Sequence, residues 1–355
     1  MPSVIIMAGG VGERFWPVSR KDMPKQFLKL YGNKTLLEYT YDRAKKIVSK
    51  ERIYIVTTEN FSNKIMELVP EISENNIIAE PVGRNTAPCL GYSVMLLLEK
   101  EGDDIITVLP ADHIILNEDR FIKEMFNAFD FLSKTEGIVT FGIKPIRPET
   151  NYGYILKDES PFGKFPYKVY KAIKFVEKPN LTKAKEYVQS EKYLWNSGMF
   201  VFKASFFIDK FKICLPHIYD GIKDVILKTN NPEEIKKTYE AFPKISVDYG
   251  VMENIDEIYT LEVDIGWDDL GNWLSFENII DKDASGNILI KGEYIGIDTS
   301  NSIIYSDDNL IATVGVKDLV IASSNNAVLI CHKDKIQDIR KVVSKLENEK
   351  LKKYR

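Results

Sequence analysis

Residues 4–17 of the chain read VIIMAGGVGERFWP, an apolar run that ends in a glycine-rich turn. The run from Val4 to Ala8 has the length and composition of a strand that is buried on both faces. Gly9, Gly10 and Gly12 then allow backbone N–H groups to face an anion without a Cβ in the way. The stretch predicts a strand followed by a phosphate-binding turn, with a tight turn that binds nothing as the alternative.

Four further apolar runs in the first 145 residues alternate with amphipathic segments. The runs cover residues 53–57, 76–79, 105–109 and 138–143, and helical spacing covers residues 35–48, 61–68, 86–99 and 119–132. This alternation is typical of an α/β fold, a Rossmann-like, mixed but mainly parallel sheet covered by helices. Ligands of such sheets bind at the carboxyl ends of the strands. The expected site therefore includes residues 9–14, 80–88 and 110–113.

The pattern changes after about residue 150, where strand-like and helical segments mix. Strands are expected at residues 152–156, 170–177, 199–202 and 258–264, and helices at residues 182–189, 205–211 and 232–241. Beyond the polar stretch 281–287, short apolar runs recur at residues 288–290, 295–297, 302–304, 311–314, 319–321 and 328–330. Their even spacing predicts a small C-terminal all-β unit, either a sandwich or a β-helix-like coil, followed by a terminal helix.

Composition excludes several classes of protein. The chain has 48 Lys and Arg against 52 Asp and Glu, which disfavours a dedicated nucleic-acid binder. No stretch approaches the ~20 apolar residues of a membrane span, and the N-terminus lacks the pattern of a signal peptide. Three widely spaced cysteines predict neither a disulfide framework nor a zinc site, so we expect a cytoplasmic protein.

Two cations follow the glycine-rich turn. Arg14 offers a bidentate fork to phosphate oxygens, and Lys25 offers a mobile point charge. A dinucleotide fingerprint would need glycine where Phe15 stands, and a Walker A loop would need glycine and lysine at positions 14 and 15. The turn therefore indicates a phosphate site of another kind and disfavours a dehydrogenase.

Gly9-Gly10-x-Gly12-x-Arg14-x-x-Pro17 followed by Pro24-Lys25 resembles the signature of the sugar-1-phosphate nucleotidyltransferases. The longer string, with Trp16, Ser19-Arg20 and Pro24-Lys25-Gln26-Phe27, is similar to the mannose-1-phosphate guanylyltransferases. The resemblance implies the nucleotide-diphospho-sugar transferase fold and the transfer of GMP from GTP to α-D-mannose 1-phosphate, which gives GDP-mannose and diphosphate. It also implies a catalytic domain at residues 1–280, with a nucleotide-binding part at 1–145 and a sugar-phosphate-binding part at 146–280, and a C-terminal β unit at 281–355.

The resemblance also implies roles for individual residues. Arg14, Lys25 and Lys178 are expected to be catalytic cations. The residues expected to bind GTP are Gly9, Gly10, Gly12, Glu80, Arg84, Asn85 and Thr86, and those expected to bind the sugar phosphate are Gly153, Glu177, Asn196 and Asp248. Asp112 and Asp264 each follow a predicted strand, and two such carboxylates at a triphosphate would suit Mg²⁺, although a strand-end cap is the alternative for each.

Three alternatives stay open at this point. The enzyme could use another sugar 1-phosphate or nucleoside triphosphate, because that specificity depends on a few hydroxyl and base contacts. A nucleotide-sugar sensor without turnover is a different class, disfavoured by the complete set of cations and carboxylates. A bifunctional enzyme with an added isomerase domain is not expected in 355 residues, and a homodimer through the C-terminal β unit is an expectation.

Overall fold

The structure is a computed structural model that describes residues 1–10, 12–227, 231–348 and 350–355. Contacts divide the chain into two compact units. The first unit comprises Met1–Gly9, Thr40–Ala111 and Ile115–Trp267. The second unit comprises Gly10–Tyr39, Asp112–Ile114 and Asp268–Arg355. The glycine-rich turn therefore belongs mostly to the unit that contains the C-terminal β strands.

The described residues form strands and helices with the following bounds. The strands are β1 (Ser3–Met7), β2 (Ile53–Thr58), β3 (Ile77–Glu80), β4 (Ile105–Pro110), β5 (Ile114–Ile115), β6 (Ile138–Ile143), β7 (Gly153–Lys157), β8 (Val169–Glu177), β9 (Tyr193–Lys203), β10 (Ile258–Val263), β11 (Trp267–Asp268), β12 (Ile288–Ile297), β13 (Ile303–Val314), β14 (Leu319–Ser324) and β15 (Ala327–His332). The helices are α1 (Leu36–Lys45), α2 (Ser62–Leu68), α3 (Thr86–Glu101), α4 (Glu118–Leu132), α5 (Leu181–Ser190), α6 (Ala204–Cys214), α7 (Pro216–Leu227), α8 (Pro232–Glu240), α9 (Val247–Gly250) and α10 (Ile339–Lys345).

The first unit is built on one mixed sheet with the order β3-β2-β1-β4-β9-β6-β10-β8-β7. β1 to β4 run parallel to one another. β6 and β10 are also parallel to each other. β9 is antiparallel to β4 and β6, and β8 is antiparallel to β10. Across the whole sheet, β8 and β9 are therefore antiparallel to the direction shared by the other seven strands. The predicted mainly parallel sheet is confirmed, and Glu80 and Asp264 lie at carboxyl ends of parallel strands.

The buried strands explain why the apolar runs predicted this sheet. In β2 and β6 nearly every side chain is buried, because helices cover the sheet and leave no solvated face along these strands. The expected helices of this unit are also confirmed. Sequence periodicity missed α7 and α9. It also shortened β9, which begins six residues earlier than expected because Asn196, Ser197 and Gly198 interrupt its apolar run.

The second unit contains a four-stranded sheet with the order β12-β13-β14-β15. The first three strands are parallel, and β15 is antiparallel to β14. The predicted all-β unit is confirmed, and its six apolar runs form four strands because the first four runs merge pairwise into β12 and β13. Polar residues such as Lys291 and Glu293 lie at register irregularities inside β12. They interrupt the apolar pattern of the sequence although the strand itself continues through them. The β-helix-like character and the terminal helix are confirmed.

Phe15 joins the glycine-rich turn to the core of the second unit. Its ring is fully buried, 5.1 Å from the ring of Trp273 and 6.2 Å from that of Phe276. The same apolar cluster includes Ile288 of β12 and Ile303 of β13. The turn and the β strands therefore share one core, whereas the proposed domain boundary at residue 280 stays a prediction.

A helix that crosses a bilayer needs about 20 predominantly apolar residues. Among the described residues, no helix combines that length with the apolar character that crossing requires.

Candidate functional site

The glycine-rich turn of the second unit has the backbone conformation that its glycines predict. Gly10 and Gly12 have φ angles of +98° and +71°, which residues with a Cβ rarely adopt. A Cβ at Gly12 would overlap the Cβ of Lys25, whereas no described atom lies within 4 Å of a Cβ built on Gly9 or Gly10. Val11 lies outside the described residues. Gly12 is therefore required by its neighbour Lys25, while Gly9 and Gly10 leave open space beside the backbone.

Lys25 is a buried ammonium group. Its side chain is 6% exposed, and its Nζ atom lies 2.8 Å from Oδ2 of Asp112. Nζ also donates a hydrogen bond of 2.6 Å to the backbone carbonyl of Asp269. An ammonium group has three donors, so within the described residues one donor is left for a ligand.

The Asp112 carboxylate is held in its charged form. Burial alone would raise its pKa, but the Lys25 ammonium and then the His113 ring lower it, and the net pKa lies below its ordinary value. The side chain is 35% exposed, so one face of this carboxylate is open to solvent. The predicted catalytic lysine and the predicted metal ligand are therefore direct partners.

These groups line a cavity of about 380 Å³ in the second unit. Its wall includes Gly12, Arg14, Lys25, Asp112 and Arg340. The Nη1 atom of Arg14 donates a hydrogen bond of 3.3 Å to the carbonyl of Gly271. The cavity thus places Gly12 beside several cations, and side chains of this kind bind phosphates.

In the first unit, each of the four residues expected to contact the nucleoside has a partner within the protein. Glu80 is buried and accepts a hydrogen bond from the Tyr239 hydroxyl, and Arg84 donates to the backbone carbonyl of Glu240. Asn85 caps α3 by accepting from the Thr86 N–H, and the Thr86 hydroxyl accepts from the Val247 N–H at 2.9 Å. Asn85 is therefore the N-cap of α3, and the nucleoside contacts stay predictions.

The residues expected to bind the sugar phosphate come together in the first unit. The Nδ2 atom of Asn196 donates to Oδ1 of Asp248 at 2.7 Å, and a Cβ at Gly153 would overlap Oε2 of Glu177. Burial, followed by the negative charge of Glu177, raises the pKa of Asp248 to about 6. Lys178 has a positive φ of 47° and its ammonium pairs with Glu177. Five residues from four segments therefore form one polar cluster.

Asp264 is placed differently from Asp112. Its side chain is 87% exposed, and Arg120 donates to its Oδ2 from 3.3 Å. Among the described residues, no three His, Cys, Asp or Glu side chains form a ready-made metal site. Mg²⁺ usually takes one or two protein carboxylates and completes its shell with water and substrate phosphates. Open carboxylates such as Asp112 and Asp264 fit this ion.

Two features of the site could not be found from the sequence. The carbonyl of Asp269 binds Lys25 through the backbone, which no side-chain pattern reveals. Arg340 lines the cavity from α10, far along the chain from the glycine-rich turn. The sequence predicts a terminal helix but not the segments on which this helix packs.

Comparisons with known proteins identify the family to which the chain belongs. The family described as nucleotidyl transferase matches residues 3–286, and the family described as MannoseP isomerase/GMP-like beta-helix domain matches residues 292–346. Together these define a nucleotidyltransferase with an attached β-helix domain.

Individual relatives identify the family within the nucleotidyltransferases. Mannose-1-phosphate guanylyltransferases of Salmonella muenchen and of Escherichia coli K12 are each 38% identical to the chain, over 97% of its length and 73% of theirs. A solved structure from Thermus thermophilus, described as a mannose-1-phosphate geranyltransferase, has a TM-score of 0.88 at 32% identity and covers 98% of this chain and 99% of its own. The chain belongs to the mannose-1-phosphate guanylyltransferase family.

The buried Glu80 predicts a pH dependence of stability. Burial raises its pKa to about 7 from 4.5, so between these values the folded protein keeps a proton that the unfolded chain loses. Stability contributed by this group therefore falls as pH rises from about 5 to about 8, by up to ~3 kcal/mol. Urea unfolding should show this loss in the wild type and a smaller one in Glu80→Gln. Glu99→Gln, at an exposed position of α3, should behave as the wild type; equal pH profiles for all three proteins would refute the assignment.

Proposed function

We propose that the protein transfers GMP from GTP to α-D-mannose 1-phosphate and releases diphosphate. The observation that carries this proposal is the cavity of the second unit, where Gly12, Arg14 and Lys25 meet on the turn that follows the first strand. The names of the relatives supply the substrates, because they are mannose-1-phosphate guanylyltransferases.

The chemistry requires positioning and charge rather than a general base. A phosphate oxygen of the sugar attacks the α-phosphorus in line and forms the new P–O bond, while the bond to the β-phosphate bridging oxygen breaks and diphosphate leaves with the electron pair. The nucleophile is already anionic at neutral pH. The barrier is therefore lowered by orientation and by neutralising the charge on the phosphates.

We assign these tasks to Arg14, Lys25 and Lys178. In this proposal Lys25 contributes its remaining donor to the nucleotide phosphates, with its position fixed by Asp112 and Asp269. The fork of Arg14 binds phosphate oxygens at the same cavity. Lys178 approaches the sugar phosphate; its side chain is 57% exposed and can leave Glu177 for a more highly charged partner.

The proposed substrate contacts involve the glycine-rich turn, the residues near Glu80 and the polar cluster of the first unit. Gly9, Gly10 and Gly12 offer backbone N–H groups to phosphates, and Glu80, Arg84, Asn85 and Thr86 are proposed to recognise guanosine. Gly153, Glu177, Asn196 and Asp248 are proposed to bind the hydroxyls of the sugar. A carboxylate pair is suited to hydroxyl donors, since each ionised oxygen accepts hydrogen bonds.

The proposed cofactor is Mg²⁺, with Asp112 and Asp264 as its protein ligands. When bound, the ion neutralises phosphate charge that the side chains leave uncompensated. We also propose a cytoplasmic enzyme, in line with its free cysteines, and a homodimer through the C-terminal β unit. Exposed apolar side chains on β12 and β15, such as Ile295, Ile297 and Ile330, support that dimer.

A panel of four nucleoside triphosphates crossed with several sugar 1-phosphates tests this function. Diphosphate release should be fastest with GTP and mannose 1-phosphate, and the nucleotide product should be GDP-mannose. A different preferred pair would identify another sugar nucleotidyltransferase. No release with any pair would leave a binding protein without turnover and would contradict the proposal.

Replacement of Lys25 should separate catalysis from folding. Lys25→Met keeps most of the side-chain volume but removes the ammonium, so we expect turnover to fall more than about tenfold. Lys29→Met changes an exposed lysine of the same segment and should leave turnover unchanged. Thermal unfolding of both variants establishes that they fold. A folded Lys25→Met enzyme with wild-type turnover would remove Lys25 from the reaction.

Magnesium titrations test the two carboxylates. Asp112→Asn and Asp264→Asn should each raise the Mg²⁺ concentration for half-maximal activity about tenfold, because each loses an anionic ligand. Asp119→Asn, at an exposed position of α4, should not. Mn²⁺ binding to the GTP complex, read by paramagnetic resonance, gives a measure that is independent of turnover. Unchanged metal dependence would exclude the corresponding aspartate.

A further inference from the structure

The cavity of the second unit is lined by a cation that the proposed function has not used. Arg340 is the second residue of α10, and it lines the same cavity of about 380 Å³ as Gly12, Arg14 and Lys25. In the sequence it lies far from the glycine-rich turn, close to the C-terminal end of the chain. The C-terminal segment therefore contributes a side chain to the wall of the phosphate cavity.

The packing of α10 fixes Arg340 at this place. Ile339 and Val343 are buried in the same apolar cluster as Phe15 and Trp16. The indole Nε1 of Trp16 donates a hydrogen bond of 2.8 Å to the carbonyl of Tyr354. The helix is thus held by its neighbours against the short 3-10 turn Glu13–Phe15 that carries Arg14.

The charges around the cavity distinguish Arg340 from the other cations. Lys25 already has the carboxylate of Asp112 at 2.8 Å, and the nearby Glu13 is 3.5 Å from Arg355. Arg14 donates to the carbonyl of Gly271. Within the part of the chain that the structure describes, the exposed guanidinium of Arg340 has neither a carboxylate nor a hydrogen-bond acceptor. Its charge on the cavity wall thus has no direct ion-pair partner among these residues, although Glu13 and Asp112 line the same cavity.

We propose that Arg340 binds the terminal phosphates of the nucleotide and the diphosphate that leaves. The inference rests on the proposed function and adds to it a substrate-binding residue from the β-helix part of the chain. A guanidinium presents parallel N–H donors that match two phosphate oxygens, and it does not lose its charge at neutral pH. Negative charge grows on the leaving diphosphate during transfer, so this contact strengthens as the reaction proceeds.

Binding of inorganic tripolyphosphate tests the proposal without turnover. Isothermal titration of the full chain should give a dissociation constant about tenfold weaker for Arg340→Gln than for the wild type. Arg340→Lys keeps the charge without the fork and should recover part of the affinity. Lys341→Gln is the matched control, since Lys341 is the next residue, 77% exposed and paired with Asp338, and it should bind as the wild type.

Steady-state kinetics of the reverse reaction give a second test, because a merely structural role for Arg340 would not change the KM of one substrate alone. Arg340→Gln should raise the KM for diphosphate in the reverse reaction about tenfold and leave the KM for GDP-mannose unchanged. Thermal unfolding checks each variant, and Arg340→Lys provides the comparison if Arg340→Gln does not fold. Wild-type affinity in the folded Arg340 variants, an equal loss in Lys341→Gln, or no tripolyphosphate binding to the wild type would each overturn the proposal. A wrong substrate pair in the product panel would instead refute the proposed function.

Discussion

The second unit depends on one buried cation. The ammonium of Lys25 is bound by the carboxylate of Asp112 and by the backbone carbonyl of Asp269, so a single group joins three segments that are far apart in the chain. A buried lysine without such partners would be costly, because burial disfavours its charged form. Gly12 is part of the same constraint, since a Cβ there would overlap the lysine side chain. The shape of the glycine-rich turn and the position of its nearest cation are thus set together.

The polar cluster of the first unit places two carboxylates near each other, whereas the second unit pairs a cation with a carboxylate. It holds Glu177 and Asp248 close enough for each charge to oppose the other, and the pKa of Asp248 rises to about 6 for reasons of burial and this repulsion. Lys178 relieves part of the negative charge by pairing with Glu177. Such a cluster favours neutral hydrogen-bond donors between the two carboxylates. Sugar hydroxyls are donors of this kind, whereas the cations that line the cavity of the second unit favour anions.

Much of the fold was predictable because its strands are buried on both faces. Continuous apolar runs such as those in β2 and β6 are rare in loops, and the turn after β1 has glycines where the backbone requires positive φ. Prediction failed where polar residues interrupt a continuous strand, as Lys291 and Glu293 do in β12. It also failed for contacts made by the backbone, such as the carbonyl of Asp269, and for the surface on which α10 packs. These depend on tertiary neighbours that local sequence does not specify.

The burial of Phe15 has a consequence for how this protein can be divided. The ring lies in one core with Trp273 and with the first residues of β12 and β13, so the residue next to Arg14 relies on strands from near the C-terminal end of the chain. A fragment cut just before those strands would keep the ring contacts of Phe15 with Trp273 and Phe276 but would remove Ile288 and Ile303 from the shared core. Evolutionary recombination between relatives at that junction would therefore have to preserve the apolar contacts of this shared core.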